Sequence, residues 1–231
     1  MRRTIMAALV LAAMAGPVFA GPVSDFENAL RDAYGNYRMA LFATNSGKRE
    51  QSAQAVEAFA AKWGTLGDTW SQSPPPQYAD DPQWLPTLVE IKQIIGKAAT
   101  EIEAGKLPEA HNVLETIRDQ IGQLHLRNGM VTFSDRMNAY HAKMEEVLNP
   151  EMTNPQEIHE GAAVLHYLAG EMLRFPPADA EGSAEFAALS KAVEQTSSDV
   201  LAAARSGDME KLKAARQALK PAYAKLFMKF G

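Results

Sequence analysis

The two halves of the chain carry the same order of residue types, and this internal repeat limits the possible folds more than any other feature. A shift of 102 residues places Pro74-Pro75 on Pro176-Pro177 and continues without a gap to the last residue. The matched positions include Trp84 with Phe186, Ile91 with Val193, Gly105 with Gly207, Leu107 with Met209, Ile117 with Leu219, and Leu124 with Leu226. Because self-similarity in register indicates a duplicated unit, we predict two copies of one domain that meet near Gly129.

Apolar residues within each half recur every three or four positions, as they do on one face of a helix. The clearest run is Leu107, Ala110, Leu114, Ile117, Ile121 and Leu124. This spacing is typical of a helix in a bundle, and no segment has the alternation of a strand. We therefore predict the all-α class, with two tandem up-down four-helix bundles in domains 21–129 and 130–231. The eight helices are predicted at 24–44, 50–72, 83–104, 107–127, 133–148, 155–173, 184–205 and 208–229.

Three local patterns are typical of helix starts. Ser24 with Glu27, and Thr132 with Asp135, have the spacing of a capping box. Asn154-Pro155 has the order of an N-cap followed by proline at the first helical position. These patterns predict the beginnings of the first, fifth and sixth helices.

The first twenty residues have the organisation of a cleaved signal peptide. Arg2 and Arg3 precede the apolar stretch 5–15, and Val18-Phe19-Ala20 is a small-residue cleavage site. The apolar stretch is too short to span a bilayer, and no later stretch is long enough. We predict secretion through the inner membrane, cleavage after Ala20, and a periplasmic protein with no membrane insertion after cleavage.

Composition excludes several classes of site. The chain has no cysteine, which excludes zinc-thiolate sites, iron–sulfur clusters and covalently attached haem. Without Arg2 and Arg3, 21 basic residues face 28 acidic ones, a net charge of −7 that argues against nucleic acid as a partner. The sequence also lacks a phosphate-binding glycine loop, HExxH and GxSxG. We therefore predict a protein that is not an enzyme.

A family resemblance runs through residues 74–128. It is carried by Pro74-Pro75, the helix from Trp84, the turn 103–107, Glu109-Ala110, and His125 near the end of the fourth helix. These features resemble the second half of cytochrome b562, a periplasmic four-helix bundle with one non-covalent haem. The related cytochrome c′ bundles attach haem through a CxxCH motif, which this sequence lacks.

The resemblance implies b-type haem, with a histidine at the position of His125 and a methionine near the start of the first helix as axial ligands. In the first repeat the methionine position falls near Phe26. In the second repeat Met137 stands at the methionine position, but Phe227 stands at the histidine position. Neither repeat therefore carries a complete pair of axial ligands. The alternative haem site that remains is His125 with Met137.

Histidine and methionine residues are concentrated in the second repeat. Met137, His141 and Met144 are spaced four and three apart, so they share one face of the fifth helix. His159 and His166 share one face of the sixth helix. Imidazole and thioether ligands together suit copper, and thioether favours Cu(I). The same methionines could equally be core residues.

The junction between the repeats offers a second possible location. If the fourth and fifth helices fold back at Gly129, His125 approaches Phe133 and Met137, and a site between the bundles becomes possible. If the two helices continue as one long helix, a site between the bundles is not possible.

Together these patterns predict a periplasmic, non-catalytic metal- or haem-binding carrier, with copper or iron as the favoured ion. One alternative is a b-type haem electron-transfer protein. Another is a haemless structural or interaction module with a protein partner in an envelope system. The predicted metal ligands are His125, Met137, His141, Met144, His159 and His166.

Overall fold

The computed structural model describes residues 21–231, so the predicted signal peptide lies outside the described residues. Eight α-helices and no strand occur in this range, which confirms the all-α prediction. None of these helices is both long and apolar enough to cross a membrane. The helices are α1 (Pro22–Asn45), α2 (Arg49–Trp70), α3 (Trp84–Glu103), α4 (Leu107–Arg127), α5 (Phe133–Leu148), α6 (Pro155–Arg174), α7 (Ala184–Ser206) and α8 (Met209–Phe230).

The helices pack as two four-helix bundles with up-down connections. In the first bundle α1 packs on α2, α2 on α3 and α3 on α4, and α4 returns to α1. The second bundle repeats this order from α5 to α8, and α8 returns to α5. A short 3-10 turn occupies the proline-rich loop of each bundle, at Pro76–Tyr78 and Ala178–Ala180. The predicted duplication of a four-helix unit therefore agrees with the packing of the chain.

Two of the three predicted helix starts are confirmed. The side chain of Thr132 and that of Asp135 form a capping box at α5, and Asn154 accepts a hydrogen bond from the backbone N–H of Gln156 at α6. The predicted capping box at Ser24 is wrong. The first helix begins two residues earlier, at Pro22, because proline at the first position is preorganised for helical φ.

The core of the first bundle is aromatic at the end where α1 begins. The fully buried ring of Phe26 lies 5.4 Å from the ring of Trp70, 5.4 Å from Tyr78 and 5.1 Å from Trp84. Aromatic rings at these separations add to the stability gained from burial alone. They also occupy the region where the family resemblance would place the haem methionine.

The fourth and fifth helices fold back on each other at Gly129. This glycine has φ +68°, a left-handed conformation that ends helices at low cost. The backbone N–H of Met130 then donates to the carbonyl of His125 at 2.9 Å. As a result, α4 of the first bundle faces α5 of the second, and the side chains of His125 and Asp135 meet. The condition for a site between the bundles is therefore met.

Two arginines of α1 hold the end of α8. Arg31 donates to the carbonyl of Phe230 at 3.0 Å and pairs with Asp179 at 2.7 Å. Arg38 is buried and donates to the carbonyls of Phe227, at 3.2 Å, and of Gly231. A cation at a helix C-terminus satisfies carbonyls that have no partner within the helix. The two bundles are therefore joined on one side by α4 with α5 and on the other by α1 with α8.

Candidate binding site between the two bundles

His125 occupies the last turn of α4 and is 3% exposed. Its Nδ1 lies 2.7 Å from Oδ2 of Asp135. Its Nε2 lies 3.7 Å from Oε2 of Glu27, beyond hydrogen-bonding distance, and has no hydrogen-bond partner among residues 21–231. One ring nitrogen is thus anchored while the other is buried and free.

The carboxylate of Asp135 is itself held in place. Its Oδ2 also accepts hydrogen bonds from the backbone N–H of Thr132 at 2.8 Å and from the Thr132 hydroxyl at 2.7 Å. Since a carboxylate accepts, Nδ1 of His125 donates, and the neutral imidazole then has its lone pair on Nε2. Histidines that bind metals commonly have this second hydrogen bond to a carboxylate. The start of α5 therefore fixes both the orientation and the tautomer of His125.

Glu27 presents only one of its oxygens to His125. Its Oε1 accepts from the hydroxyl of Tyr78 at 2.6 Å and from Nε2 of Gln77 at 3.1 Å. Burial, followed by the charge of Glu27, raises the pKa of Tyr78 well above its usual value, so the phenol stays protonated and donates. Oε2 of Glu27 is left facing Nε2 of His125.

A cavity of about 310 Å³ opens beside these side chains, between the two bundles. Its polar lining includes His125, Glu27 and Asp135, and Phe175 and Arg136 also line it. The Arg136 guanidinium lies 4.3 Å from the centre of the Phe175 ring. The free nitrogen of His125 thus belongs to a residue that lines a space large enough for a small ligand.

The six residues predicted as metal ligands have different surroundings. Met137 and Met144 are fully buried in the core of the second bundle. His141 faces the first bundle, where Nη1 of Arg118 lies 3.2 Å from its Nδ1, and its ring stacks on Tyr223 at 5.1 Å.

The two histidines of α6 are directed towards α7 instead. Nε2 of His159 lies 3.4 Å from Nε of Arg205, and Nδ1 of His166 lies 3.2 Å from Oγ of Ser197. Within 21–231, no three or more histidine and carboxylate side chains are grouped to hold a metal ion. The structure therefore does not bring the six predicted ligands together. Among them, His125 combines a free nitrogen with an adjacent cavity.

The residues present do not supply the axial pair of a b-type haem. In the first bundle, Phe26 and its aromatic neighbours fill the core at the methionine position. In the second bundle, Met137 is fully buried. The position of the axial histidine is occupied there by Phe227, whose ring stacks on Tyr223 at 5.7 Å. In the alternative pair, Nδ1 of His125 is anchored to Asp135, and Met137 is fully buried in the core of the second bundle.

Sequence reasoning missed two residues of the junction. The sequence pattern places Glu27 in a capping box, whereas its carboxylate faces His125 in the structure. Arg118 had no assigned role, although it contacts His141 across the bundles. The repeat register offers one signal, because Arg118 matches Lys220 at the shift of 102 and both residues are basic.

Comparisons of the chain with protein-family models, with curated proteins and with solved structures found no match. The geometry described above is therefore the basis for a functional proposal.

Proposed function

We propose that the protein is a non-catalytic periplasmic binding protein that holds a copper or iron ion at the junction of its two bundles, with Nε2 of His125 as the nitrogen ligand. The observation that supports this most directly is the asymmetry of His125. Its Nδ1 is anchored to Asp135, while its Nε2 is buried without a hydrogen-bond partner among the described residues. A buried polar atom left without a partner costs free energy, and a bound ion would remove that cost.

The donor atoms at the junction favour a divalent ion over Cu(I). Nε2 of His125 and Oε2 of Glu27 are nitrogen and oxygen donors, which suit Cu(II) and Fe(II). The thioethers that would select Cu(I) belong to Met137 and Met144, which are buried in the core. Affinities for such sites rise from Fe(II) to Cu(II), so Cu(II) is expected to bind most tightly.

Isothermal titration calorimetry of the purified protein with Cu(II), Fe(II) and Zn(II) tests this proposal. We expect one Cu(II) per chain with a Kd tighter than ~10 μM, or about −7 kcal/mol. His125→Gln keeps a side chain of similar length without the imidazole, and it should weaken binding at least roughly tenfold, equivalent to about 1.4 kcal/mol. Glu27→Gln should weaken binding in the same direction, whereas Glu109→Gln, at an exposed position of α4, should not.

Two results would contradict the proposal. The first is binding weaker than the stated limit for all three ions. The second is loss of binding in His159→Ala with no change in His125→Gln, which would favour the cluster in the second repeat instead. Nitrogen-15 NMR of the metal-free protein at pH 7 adds an independent measurement. A proton on both ring nitrogens of His125 would indicate an imidazolium between two carboxylates rather than a metal ligand.

A further inference from the structure

The ion site proposed at His125 has fewer protein ligands than a copper ion needs. Nε2 of His125 and Oε2 of Glu27 lie 3.7 Å apart, so one ion at about 2 Å from each atom fits between them. Within residues 21–231, no three or more histidine and carboxylate side chains are grouped to hold a metal ion. Since Cu(II) prefers square-planar or tetragonal surroundings, its remaining ligands must come from bound molecules.

The cavity beside His125 provides room for such a molecule. His125 and Glu27 both line it, together with residues of the second bundle. Its volume of about 310 Å³ falls within the range of small-molecule sites. This is far more space than one or two coordinating water molecules need. An organic ligand can therefore lie next to the two protein donors.

Apolar side chains form much of the cavity wall. Val131 is 56% exposed and Phe175 is 46% exposed, so both keep a large apolar surface uncovered at the cavity. Covering such a surface with an apolar group is favourable, and apolar walls with a few polar groups are typical of ligand sites. The apolar lining residues include Leu30, Ile121, Val131, Phe133 and Phe175.

The charges around the cavity favour a ligand that carries a carboxylate. Glu27 and Asp135 supply two negative charges to the lining, and Arg31 and Arg136 supply two positive ones. A divalent ion adds two positive charges to this balanced set. Because charge that is removed from water is costly unless it is paired, a negatively charged ligand on the ion lowers the cost of binding it.

We propose that the protein binds the ion together with a small chelator of the amino-acid type, which has an amine nitrogen, a carboxylate oxygen and an apolar side chain. This inference rests on the function proposed above. His125 and Glu27 each give the ion one donor atom, and the amine and carboxylate of the chelator give two more. The apolar side chain of the chelator lies in the cavity against Val131 and Phe175. The protein thus recognises the organic complex of the ion.

Phenylalanine and glycine test this proposal, because they chelate Cu(II) through the same two atoms and differ in the apolar side chain. Equilibrium dialysis of each radiolabelled amino acid against the mature protein, with one equivalent of Cu(II), measures how much is retained. We expect about one phenylalanine per chain with a Kd below ~100 μM, and at least roughly tenfold weaker retention of glycine. Neither should be retained when EDTA removes the ion. 2-Phenylethylamine, which lacks the carboxylate, should not be retained either.

Variants locate the bound amino acid. His125→Gln removes the nitrogen ligand and should abolish the retention of phenylalanine. Phe175→Ser removes apolar wall from the cavity, so it should reduce the preference for phenylalanine over glycine at least roughly threefold. The matched control is Tyr167→Ser. Tyr167 is an aromatic residue of α6 that is 64% exposed and does not line the cavity, so this variant should keep the preference unchanged.

Calorimetry with Cu(II) alone separates failure of this inference from failure of the proposed function. Binding of Cu(II) without retention of phenylalanine, or with equal retention of phenylalanine and glycine, would overturn the chelator and leave the ion site in place. Retention that survives His125→Gln, or equal effects of Phe175→Ser and Tyr167→Ser, would also overturn it, because the amino acid would then bind elsewhere. No binding of Cu(II), with or without an amino acid, would contradict both proposals.

Discussion

At His125 a single carboxylate has two roles. Oδ2 of Asp135 accepts the hydrogen bonds that start α5 at Thr132, and it also holds Nδ1 of His125 from α4. The start of a helix in the second bundle therefore determines the orientation of a side chain in the first. This coupling explains how a buried histidine keeps one nitrogen free at the junction between the two bundles.

Sequence patterns identified His125 as a candidate but not the residues around it. Glu27 lies 98 positions earlier in the chain and reaches His125 only because α1 returns to α4. The ligand chemistry of Met137 and Met144 suggests a metal site, yet both side chains are fully buried in the core. A three- and four-residue spacing indicates one face of a helix, and it does not distinguish a core-forming face from a ligand-binding face.

His141 gives a prediction for the pH dependence of stability. Burial, and next the charge of Arg118, lower its pKa from 6.5 to about 4 in the folded protein. Between pH 6.5 and 4, His141 therefore takes up a proton in the unfolded chain but not in the folded protein. The contribution of neutral His141 to stability is complete above pH 6.5 and is lost as the pH falls towards 4. Over this pH range the free energy of unfolding should fall by at most about 3 kcal/mol because of His141.

Urea unfolding at pH 7, 6, 5 and 4.5 measures this effect. His141→Gln retains a hydrogen-bond acceptor for Arg118 and has no group that titrates, so its stability should change less over this range than that of the wild type. His159→Gln changes a histidine of α6 and serves as the control for an effect that any histidine substitution would have. Parallel curves for His141→Gln and the wild type would contradict the prediction.

At the scale of helices, the sequence determines most of what is observed. All eight helices begin and end within two residues of their predicted limits. Apolar periodicity, prolines and glycines are local signals, and the short connections between α1 and α2, α3 and α4, and α7 and α8 favour neighbouring antiparallel helices. The sequence does not predict the relative placement of the two bundles, because that placement depends on one turn at Gly129 and on long polar side chains that have no periodic pattern.

Gly129 gives a prediction at this scale. Gly129→Ala places a side chain at φ +68°, which should destabilise the protein by about 1–2 kcal/mol. The matched control is Gly96→Ala in the middle of α3, where an added Cβ meets nothing within 4 Å. That substitution should stabilise the protein by about 0.5–1 kcal/mol. Denaturant unfolding of the two variants should give opposite signs, and equal signs would mean that the turn at Gly129 does not constrain the fold.

For the molecule as a whole, polar contacts join the two bundles beside a single cluster of buried apolar residues that includes members of both bundles. Arg118 contacts His141 on one side, and Arg38 holds the carbonyls at the end of α8 on the other. The proposed site at His125 lies along this interface. An interface of this kind buries cations that need specific partners. It therefore fixes one relative orientation of the bundles and leaves cavities between them.

Arg38 allows the coupling of the bundles to be measured. Burial lowers the pKa of its guanidinium to about 10, so it remains charged at pH 7 and depends on the carbonyls of Phe227 and Gly231. Arg38→Met keeps the apolar part of the side chain and leaves these carbonyls without their donor. We expect a loss of about 1–3 kcal/mol, the cost of leaving a buried polar group unpaired, and unfolding of the two bundles in separate steps.

Tryptophan fluorescence can follow the first bundle alone, because all three tryptophans of the chain belong to it: Trp63, Trp70 and Trp84. Far-ultraviolet circular dichroism follows both bundles. The two signals should coincide during denaturant unfolding of the wild type, as expected for one cooperative unit, and should separate in Arg38→Met. Arg49→Met is the matched control, since Arg49 donates to the carbonyls of Ile102 and Glu103 at the end of α3, within the first bundle. It should lower the stability while keeping the signals coincident. Separate transitions in the wild type, or coincident ones in Arg38→Met, would show that this arginine does not couple the bundles.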